Sequence, residues 1–130
     1  MKSLTQAQLA DIFARAHAAG MAAGQGAKVQ AMTVGSPTTP FGNTIDYSKE
    51  TYHVPDGPCG FAWVTIRPAN CTAAKYAKTT LGARAGYYGG IEISCRYFNQ
   101  SMARKEAYCY AFAEVLTAAG IKASVGSRMD

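Results

Sequence analysis

The segment from Arg84 to Gly90 contains the residue types that would bind a phosphate and a nucleobase. It reads Arg-Ala-Gly-Tyr-Tyr-Gly-Gly, in which glycines expose backbone N–H groups and Arg84 supplies a cation. The rings of Tyr87 and Tyr88 could stack on a base. The spacing matches neither a Walker loop nor the Gly-x-Gly-x-x-Gly pattern. The composition makes Arg84, Tyr87, Tyr88 and Gly89 candidate residues of an anion-binding site. The sequence favours the alternative, a helix stop followed by a turn into the next strand with the aromatic rings in the core.

Other basic side chains could extend this site. Arg96 follows the loop, and Arg104 and Lys105 could join it to form a basic, aromatic-bearing patch on the last helix. We expect Tyr108 of that helix to belong to the core. Arg128 lies close to the C-terminus, where polar residues can form a binding rim, although frayed termini are the common case. Arg96 and Arg128 complete the set of candidate ligand-binding residues.

Cysteine chemistry is a further hypothesis. Cys59 stands beside a turn and near His53, so it could act as a thiolate nucleophile, but the sequence shows no third, orienting group. The four cysteines, at 59, 71, 95 and 109, do not form the close pairs typical of structural zinc. We expect small core residues in a reducing compartment, and we predict neither a metal nor a cofactor. An enzyme using Cys59 or the Arg84–Gly90 loop is the alternative.

The net charge of +5 is concentrated in the second half of the chain. Residues 1–66 carry four basic and four acidic side chains, whereas residues 67–130 carry nine basic and four acidic ones. This imbalance favours anionic partners, such as nucleic acid, a nucleotide or an acidic protein surface. A solvated, solubilising face explains the charge equally well.

Length and hydropathy indicate one domain. A chain of 130 residues that is 48% hydrophobic can build one core and is too short for two. No segment approaches the roughly 18 consecutive apolar residues of a membrane span. The first 26 residues lack the continuous apolar block of a signal peptide. We expect a single domain over residues 1–130, no membrane association and a cytoplasmic location.

The first helix has a clear start. Thr5 is a good N-cap, and Gln8 stands at the spacing of a capping box. Residues 16–24 are nearly all small, so we expect another helix, a sheet or a second subunit to approach this surface closely, which makes a homodimer conceivable. The predicted core stripe is Leu9, Ile12, Phe13, Ala16, Gly20 and Ala23.

Residues 27–58 are predicted to form an irregular segment, since prolines and glycines occur repeatedly in this part of the chain. Short strands are predicted around Val29–Val34 and Thr51–Val54. A connection of this length in a compact domain is usually functional or mobile.

The centre of the predicted fold is a strand from Phe61 to Arg67, whose two faces are both apolar, so we expect both to be covered. A helix capped by Asn70, with Leu81 inward, follows. The last helix begins near residues 99–101, ends at Gly120 and precedes a closing strand. The chain thus predicts an α+β or α/β domain, with a sheet of about three to five strands and three helices. A half-buried strand between these helices alternates through Ile91, Ile93, Cys95 and Tyr97.

Several motifs together resemble a family of small uncharacterised proteins of tailed bacteriophages and prophages. They extend over nearly the whole chain. The matching pieces are Ala-His-Ala-Ala-Gly-Met-Ala-Ala-Gly at 16–24, Cys-Gly-Phe-Ala-Trp-Val at 59–64, Tyr-Tyr-Gly-Gly at 87–90, the block 100–113 and Gly-Ser-Arg-Met-Asp at 126–130. The resemblance transfers no catalytic or binding residue. It implies a phage genome, the cytoplasm of an infected bacterium and an accessory role during infection.

Three functions are compatible with these observations. The leading hypothesis is a non-enzymatic protein that binds and blocks a host component, as an anti-defence protein does. The target would be a host protein or a nucleotide signal. The alternatives are a nucleic-acid-binding accessory protein and a small enzyme, of which the enzyme has the least support because no complete catalytic set is visible.

Overall fold

The computed structural model describes residues 4–27, 59–86, 89–98 and 101–129, together with the backbone of residues 32–35 and 51–54. The remaining residues, which include Tyr87, Tyr88 and most of the irregular segment 27–58, lie outside the described part. The elements in chain order are α1 (Gln6–Gly26), β1 (Met32–Gly35), β2 (Thr51–Val54), β3 (Gly60–Ile66), α2 (Thr72–Thr80), β4 (Arg84–Ala85), β5 (Ile91–Ser94), α3 (Met102–Ala118) and β6 (Ala123–Met129).

The main sheet has four strands in the order β4-β5-β3-β6, and every neighbouring pair is antiparallel. From β3 onwards the elements follow one another as β-α-β-β-α-β. This connectivity and strand order are those of the split β-α-β, or ferredoxin-like, arrangement. The prediction of an α+β fold with three helices and a small sheet is confirmed. β1 and β2 form a separate two-stranded antiparallel pair.

The register of β3 determines which residues share a face of the sheet. Residues directly opposite one another in antiparallel strands point to the same side. Val64 lies opposite Ile93 and Val125, and this inner face is buried against the helices. Trp63, on the outer face, lies opposite Ser94 and Gly126.

The two faces of β3 differ in their coverage. Val64 and Ile66 on the inner face are 1% and 0% exposed, whereas Phe61 on the outer face is 39% exposed. Thr65, on the same outer face, is buried. The expectation that both faces of β3 are covered is therefore wrong at Phe61.

α1 begins as its sequence predicts. The Gln8 side chain accepts from the Thr5 backbone N–H at 2.8 Å, and the Gln8 N–H donates to the Thr5 hydroxyl at 3.1 Å, which completes a capping box. The small-residue surface packs against α3 and the residues before it. A Cβ added at Gly20 would lie 2.6 Å from Cδ2 of Tyr108, and one at Gly24 would lie 2.2 Å from Cε2 of Phe98. Gly24, not Ala23, continues the buried stripe.

α2 differs from its prediction at both ends. Cys71, not Asn70, is the N-cap, and its Sγ accepts from the Ala74 N–H at 3.4 Å. Leu81 is 40% exposed, so its predicted inward position is wrong. The reason is that the helix ends at Thr80, which leaves Leu81 as the C-cap, and the buried residues of the helix are Ala73, Ala74 and Ala77.

α3 and β6 complete the domain. Ser101 caps α3, and Tyr108 is buried as predicted. Gly120 follows with a φ of 88°, which a glycine adopts at low cost after a helix. β6 pairs with β3 as far as Met129 opposite Gly60, so residues 127–129 are part of the sheet and are not frayed. No helix among the described residues is long and apolar enough to span a membrane.

Candidate functional site

Two cations flank an aromatic ring on the outer face of the sheet. Lys105 Nζ and Arg128 Cζ each lie 5.3 Å from the centroid of the Phe61 ring. Cations at this distance from an aromatic centroid are attracted by the negative face of the ring. Because Arg128 stands directly opposite Phe61 in the register of β3 and β6, the sheet itself positions this pair. We call Phe61, Trp63, Lys105 and Arg128 the outer-face cluster.

Lys105 is a buried cation that has no carboxylate partner among the described residues. It is 6% exposed, and its Nζ donates to the Gly60 carbonyl at 3.2 Å. No carboxylate of a described residue lies within 4.0 Å of this ammonium group. A buried charge is costly unless it is paired or hydrogen-bonded. The Gly60 carbonyl and the Phe61 ring stabilise this charge.

The end of β5 allows Lys105 to reach the outer face. Regular pairing of β5 with β3 ends at Ser94, after which the Cys95 N–H donates to the Ala62 carbonyl at 2.9 Å. Beyond that point the backbone of Gly60 faces α3 instead of another β5 residue. An isolated bridge between Cys59 and Ser101 holds the first turn of α3 against this position.

Trp63 lies flat against β6. A Cβ added at Gly126 would lie 2.5 Å from the indole Nε1, so only a glycine leaves room for the ring there. The indole is half-buried. Trp63 is two residues from Phe61 along β3, so the two residues are neighbours on the outer face. Two aromatic rings therefore lie side by side on the outer face, with Arg128 beside Phe61.

The predicted arginines lie at opposite edges of the sheet. Arg84, opposite Glu92, and Arg96, just after β5, line a cavity of about 410 Å³ at one edge. Arg128 belongs to β6 at the other edge. No described carboxylate lies within 4.0 Å of any of the three guanidinium groups. The structure therefore brings Arg84 and Arg96 together and separates them from Arg128.

The glycine-rich loop forms the turn between β4 and β5. The Gly86 N–H donates to the Gly90 carbonyl at 2.9 Å, and the Gly89 N–H donates to the Gly86 carbonyl at 3.2 Å. These two N–H groups are used within the turn. Gly89 and Gly90 have φ values of 92° and 73°, which explains the glycines by the backbone conformation of the turn. Tyr87 and Tyr88 lie outside the described residues.

Sequence reasoning missed three of the four members of the outer-face cluster. Phe61 and Trp63 were interpreted as covered core residues, and Lys105 as one member of a helix-surface patch. The alternation of Phe61, Trp63 and Thr65 predicts that the two rings share a face, but it does not show that this face is partly exposed. The position of Lys105 had no signal in the sequence, because its acceptor is 45 residues away in the chain.

The cysteines do not form a catalytic arrangement in the described part of the chain. Cys95 and Cys109 are buried, and their mutual hydrogen bond, followed by burial, raises the pKa of the Cys109 thiol. Cys59 is exposed, but the side chain of His53 lies outside the described residues, so the proposed Cys59–His53 pair stays a prediction. The described residues contain no group of three or more His, Cys, Asp or Glu that could hold a metal ion.

Comparisons with protein-family models, with curated proteins and with solved structures find no match to this chain. The functional interpretation therefore rests on the outer-face cluster and on the cavities of the molecule.

Proposed function

We propose that this chain is a non-enzymatic protein that binds a nucleobase with its phosphate on the outer face of the sheet. The base would stack on Phe61 and Trp63, and the phosphate would lie near Lys105 and Arg128. The observation that carries the proposal is the Phe61 ring, 39% exposed and flanked at 5.3 Å by two cations.

Energetics favour this ligand chemistry. An exposed aromatic ring on an antiparallel sheet is a stacking surface for any base, and one stacked base contributes about 1–3 kcal/mol. The two cations next to the ring would neutralise a phosphate attached to the same base. Lys105 and Arg128 would attract such an anion, and no carboxylate of a described residue lies within 4.0 Å of either group.

Two biological ligands share this chemistry, a free nucleotide and a single-stranded nucleic acid. The sequence resembles a family of phage proteins. In an infected bacterium, such a protein would capture a nucleotide signal in the cytoplasm and so block the defence of the host. Binding of a single strand would correspond to the nucleic-acid accessory role. A host protein as the blocked component stays a prediction from the sequence.

The only tryptophan of the chain gives a direct assay, because Trp63 lies within the proposed surface. We would titrate the protein with AMP, ADP and an eight-nucleotide oligothymidylate while recording tryptophan fluorescence. A stacked base should quench the indole. Quenching by the strand alone would assign single-stranded nucleic acid, whereas similar quenching by the mononucleotides would assign nucleotide capture.

Variants localise the binding. Phe61→Ala should weaken binding by about tenfold or more, since it removes one stacking ring. Arg128→Gln should weaken it and reduce the slope of log K against log salt by about one. Lys78→Gln, on the exposed side of α2, is the matched charge control. Unchanged fluorescence at millimolar ligand, or binding that Phe61→Ala and Arg128→Gln leave unaltered, would refute the proposal.

A further inference from the structure

A second binding feature lies at the edge of β5, where β4 pairs only with Ile91 and Glu92. Two cavities, of about 440 Å³ and about 410 Å³, adjoin this edge. Both are lined by Leu81, Ile93, Ser94 and Arg96, so they adjoin each other at these residues. We call the two neighbouring cavities together the edge groove. It is separate from the outer-face cluster, of which no member lines either cavity.

One end of the edge groove is aromatic. Phe13 of α1 lies 5.1 Å from Tyr76 and 5.9 Å from Phe112, measured between ring centroids, and all three rings line the larger cavity. The exposed Ala10 and Ala14 of α1 line the same cavity, where their small side chains leave it open. Its volume lies within the range of small-molecule sites, about 300–1,000 Å³.

The mouth of the aromatic end carries large apolar groups that solvent reaches. Tyr97 is 42% exposed, and its ring centroid lies 5.1 Å from that of His17. His17 is held by a 2.7 Å hydrogen bond between its Nδ1 and the Tyr108 hydroxyl, so its ring has a defined orientation. Leu81, which also lines this cavity, is 40% exposed. A flat apolar ligand would cover these surfaces.

The other end of the edge groove is cationic. Arg84 and Arg96 line the smaller cavity together with Ser94 and one carboxylate, that of Glu92. Two guanidinium groups against one carboxylate leave a net charge of about one positive unit, which suits a ligand with a single negative charge. Arg96 also lines the aromatic cavity, so it lies where the two ends meet.

We propose that the edge groove binds a small aromatic monoanion, a carboxylate or a sulfonate. The aromatic ring would occupy the cavity beside Phe13 and Tyr97, and the anionic group would lie against Arg96. This ligand differs from the nucleobase and phosphate of the outer face, and the two sites do not depend on each other.

The test uses 1-anilinonaphthalene-8-sulfonate, an aromatic sulfonate whose fluorescence rises in apolar surroundings. We expect saturable binding to the folded protein. Ala14→Leu fills the aromatic end and should weaken binding by about tenfold. Ala18→Leu, at an exposed position of the same helix outside the groove, is the matched control and should bind as the wild type does. Both substitutions replace one good helix former with another, so the unfolding midpoints of the two variants should stay near that of the wild type.

The charge requirement is tested by competition and by substitution. 1-Naphthoate should displace the fluorescent sulfonate, whereas 1-naphthalenemethanol, which has a similar ring and no charge, should displace it about tenfold less well. Arg96→Gln should remove this difference, and Lys75→Gln on α2 should preserve it. Equal displacement by the acid and the alcohol would overturn the assignment of an anion.

Binding at the outer-face cluster would give a different pattern. If Phe61→Ala abolishes sulfonate binding while Ala14→Leu leaves it unchanged, the edge groove is not the site and the proposal fails. If Ala14→Leu weakens it and Phe61→Ala does not, the groove is the site, whatever the outcome of the nucleotide titration. Absence of saturable fluorescence also overturns the proposal.

Discussion

The two faces of β3 are both largely apolar, but they differ in how far they are covered. On the inner face, Ala62, Val64 and Ile66 are at most 1% exposed beneath the helices. On the outer face, Phe61 and Trp63 are apolar and larger, yet Phe61 is 39% exposed and has two cations beside its ring. A large aromatic ring left partly in water beside positive charge stabilises the fold less than a buried ring would. The proposed ligand site would account for its placement.

The comparison shows that hydrophobicity alone does not separate core from site. Both faces of β3 read as apolar in the sequence. The two faces differ in what packs against them. The helices cover one face, and Arg128 and Lys105 lie beside the other. Three predictions test this division, beginning with the largest expected effect.

Truncation of one side chain on each side should give losses of stability that differ in size. Leu116→Ala, at a residue of α3 that is 0% exposed, should reduce the free energy of unfolding by about 2–5 kcal/mol, since it leaves a cavity under the inner face. Phe61→Ala should reduce it by less than about 2 kcal/mol, because that ring is already partly in water. Urea unfolding measures both. Equal losses would show that Phe61 is a core residue and would break the comparison.

A methyl group added between α1 and α3 should destabilise the helix-covered side. Gly20→Ala puts a Cβ 2.6 Å from the Tyr108 ring and should reduce the free energy of unfolding by about 1–3 kcal/mol, although alanine favours a helix more than glycine does. Gly26→Ala is the control, because its Cβ would meet no atom within 4 Å. Thermal or urea unfolding of the two variants shows whether each substitution lowers or raises the free energy of unfolding. Stabilisation by Gly20→Ala would contradict the close contact.

The smallest expected effect is a pH dependence of the free energy of unfolding that comes from Tyr108, on the helix-covered side. Burial, followed by the neighbouring Tyr97, raises the pKa of Tyr108 above its ordinary value of 10.0. As the pH rises, the phenol ionises in the unfolded chain before it ionises in the folded one. The free energy of unfolding should therefore fall above about pH 10, and the loss should reach about 1 kcal/mol at about pH 10.5. Below pH 10 this contribution is fully present.

Tyr108→Phe should remove this part of the alkaline loss, in addition to a pH-independent cost of about 1 kcal/mol for the hydrogen bond to His17. Tyr110→Phe, at a 62% exposed position of the same helix, is the control for removing a hydroxyl. Urea unfolding at pH 9 and at about pH 10.5 gives the slopes. A Tyr108→Phe slope identical to that of the wild type would show that this phenol is not protected by the helices.

Local signals were sufficient for much of the fold. The capping box at Thr5 and Gln8 was predicted because both partners lie within one helical turn. β3 was predicted within one residue at each end, and the pair of short strands near 32–35 and 51–54 was also anticipated. α2 was less accurate, since a helix of nine residues leaves little margin for its ends, and Leu81 falls beyond them.

The candidate site was predicted only in part. Arg84, Arg96 and Arg128 were selected by charge and by their neighbours in the sequence, but sequence distance could not show that Arg84 and Arg96 share a groove without Arg128. The groove also needs Phe13 and His17 from α1, which lie far from β5 in the chain. Such a combination depends on how three helices meet one sheet edge.

The sequence by itself determined the three helices, the alternating strands, the close approach required by the small residues of α1 and the excess of positive charge in the second half. These properties follow from neighbours a few residues apart, so periodicity and capping residues report them. Only the tertiary structure decided which face of β3 is covered and which cations flank Phe61. Those contacts join Phe61 to Arg128 and Gly60 to Lys105 across long stretches of chain, where strand register and helix position, not local pattern, place the side chains.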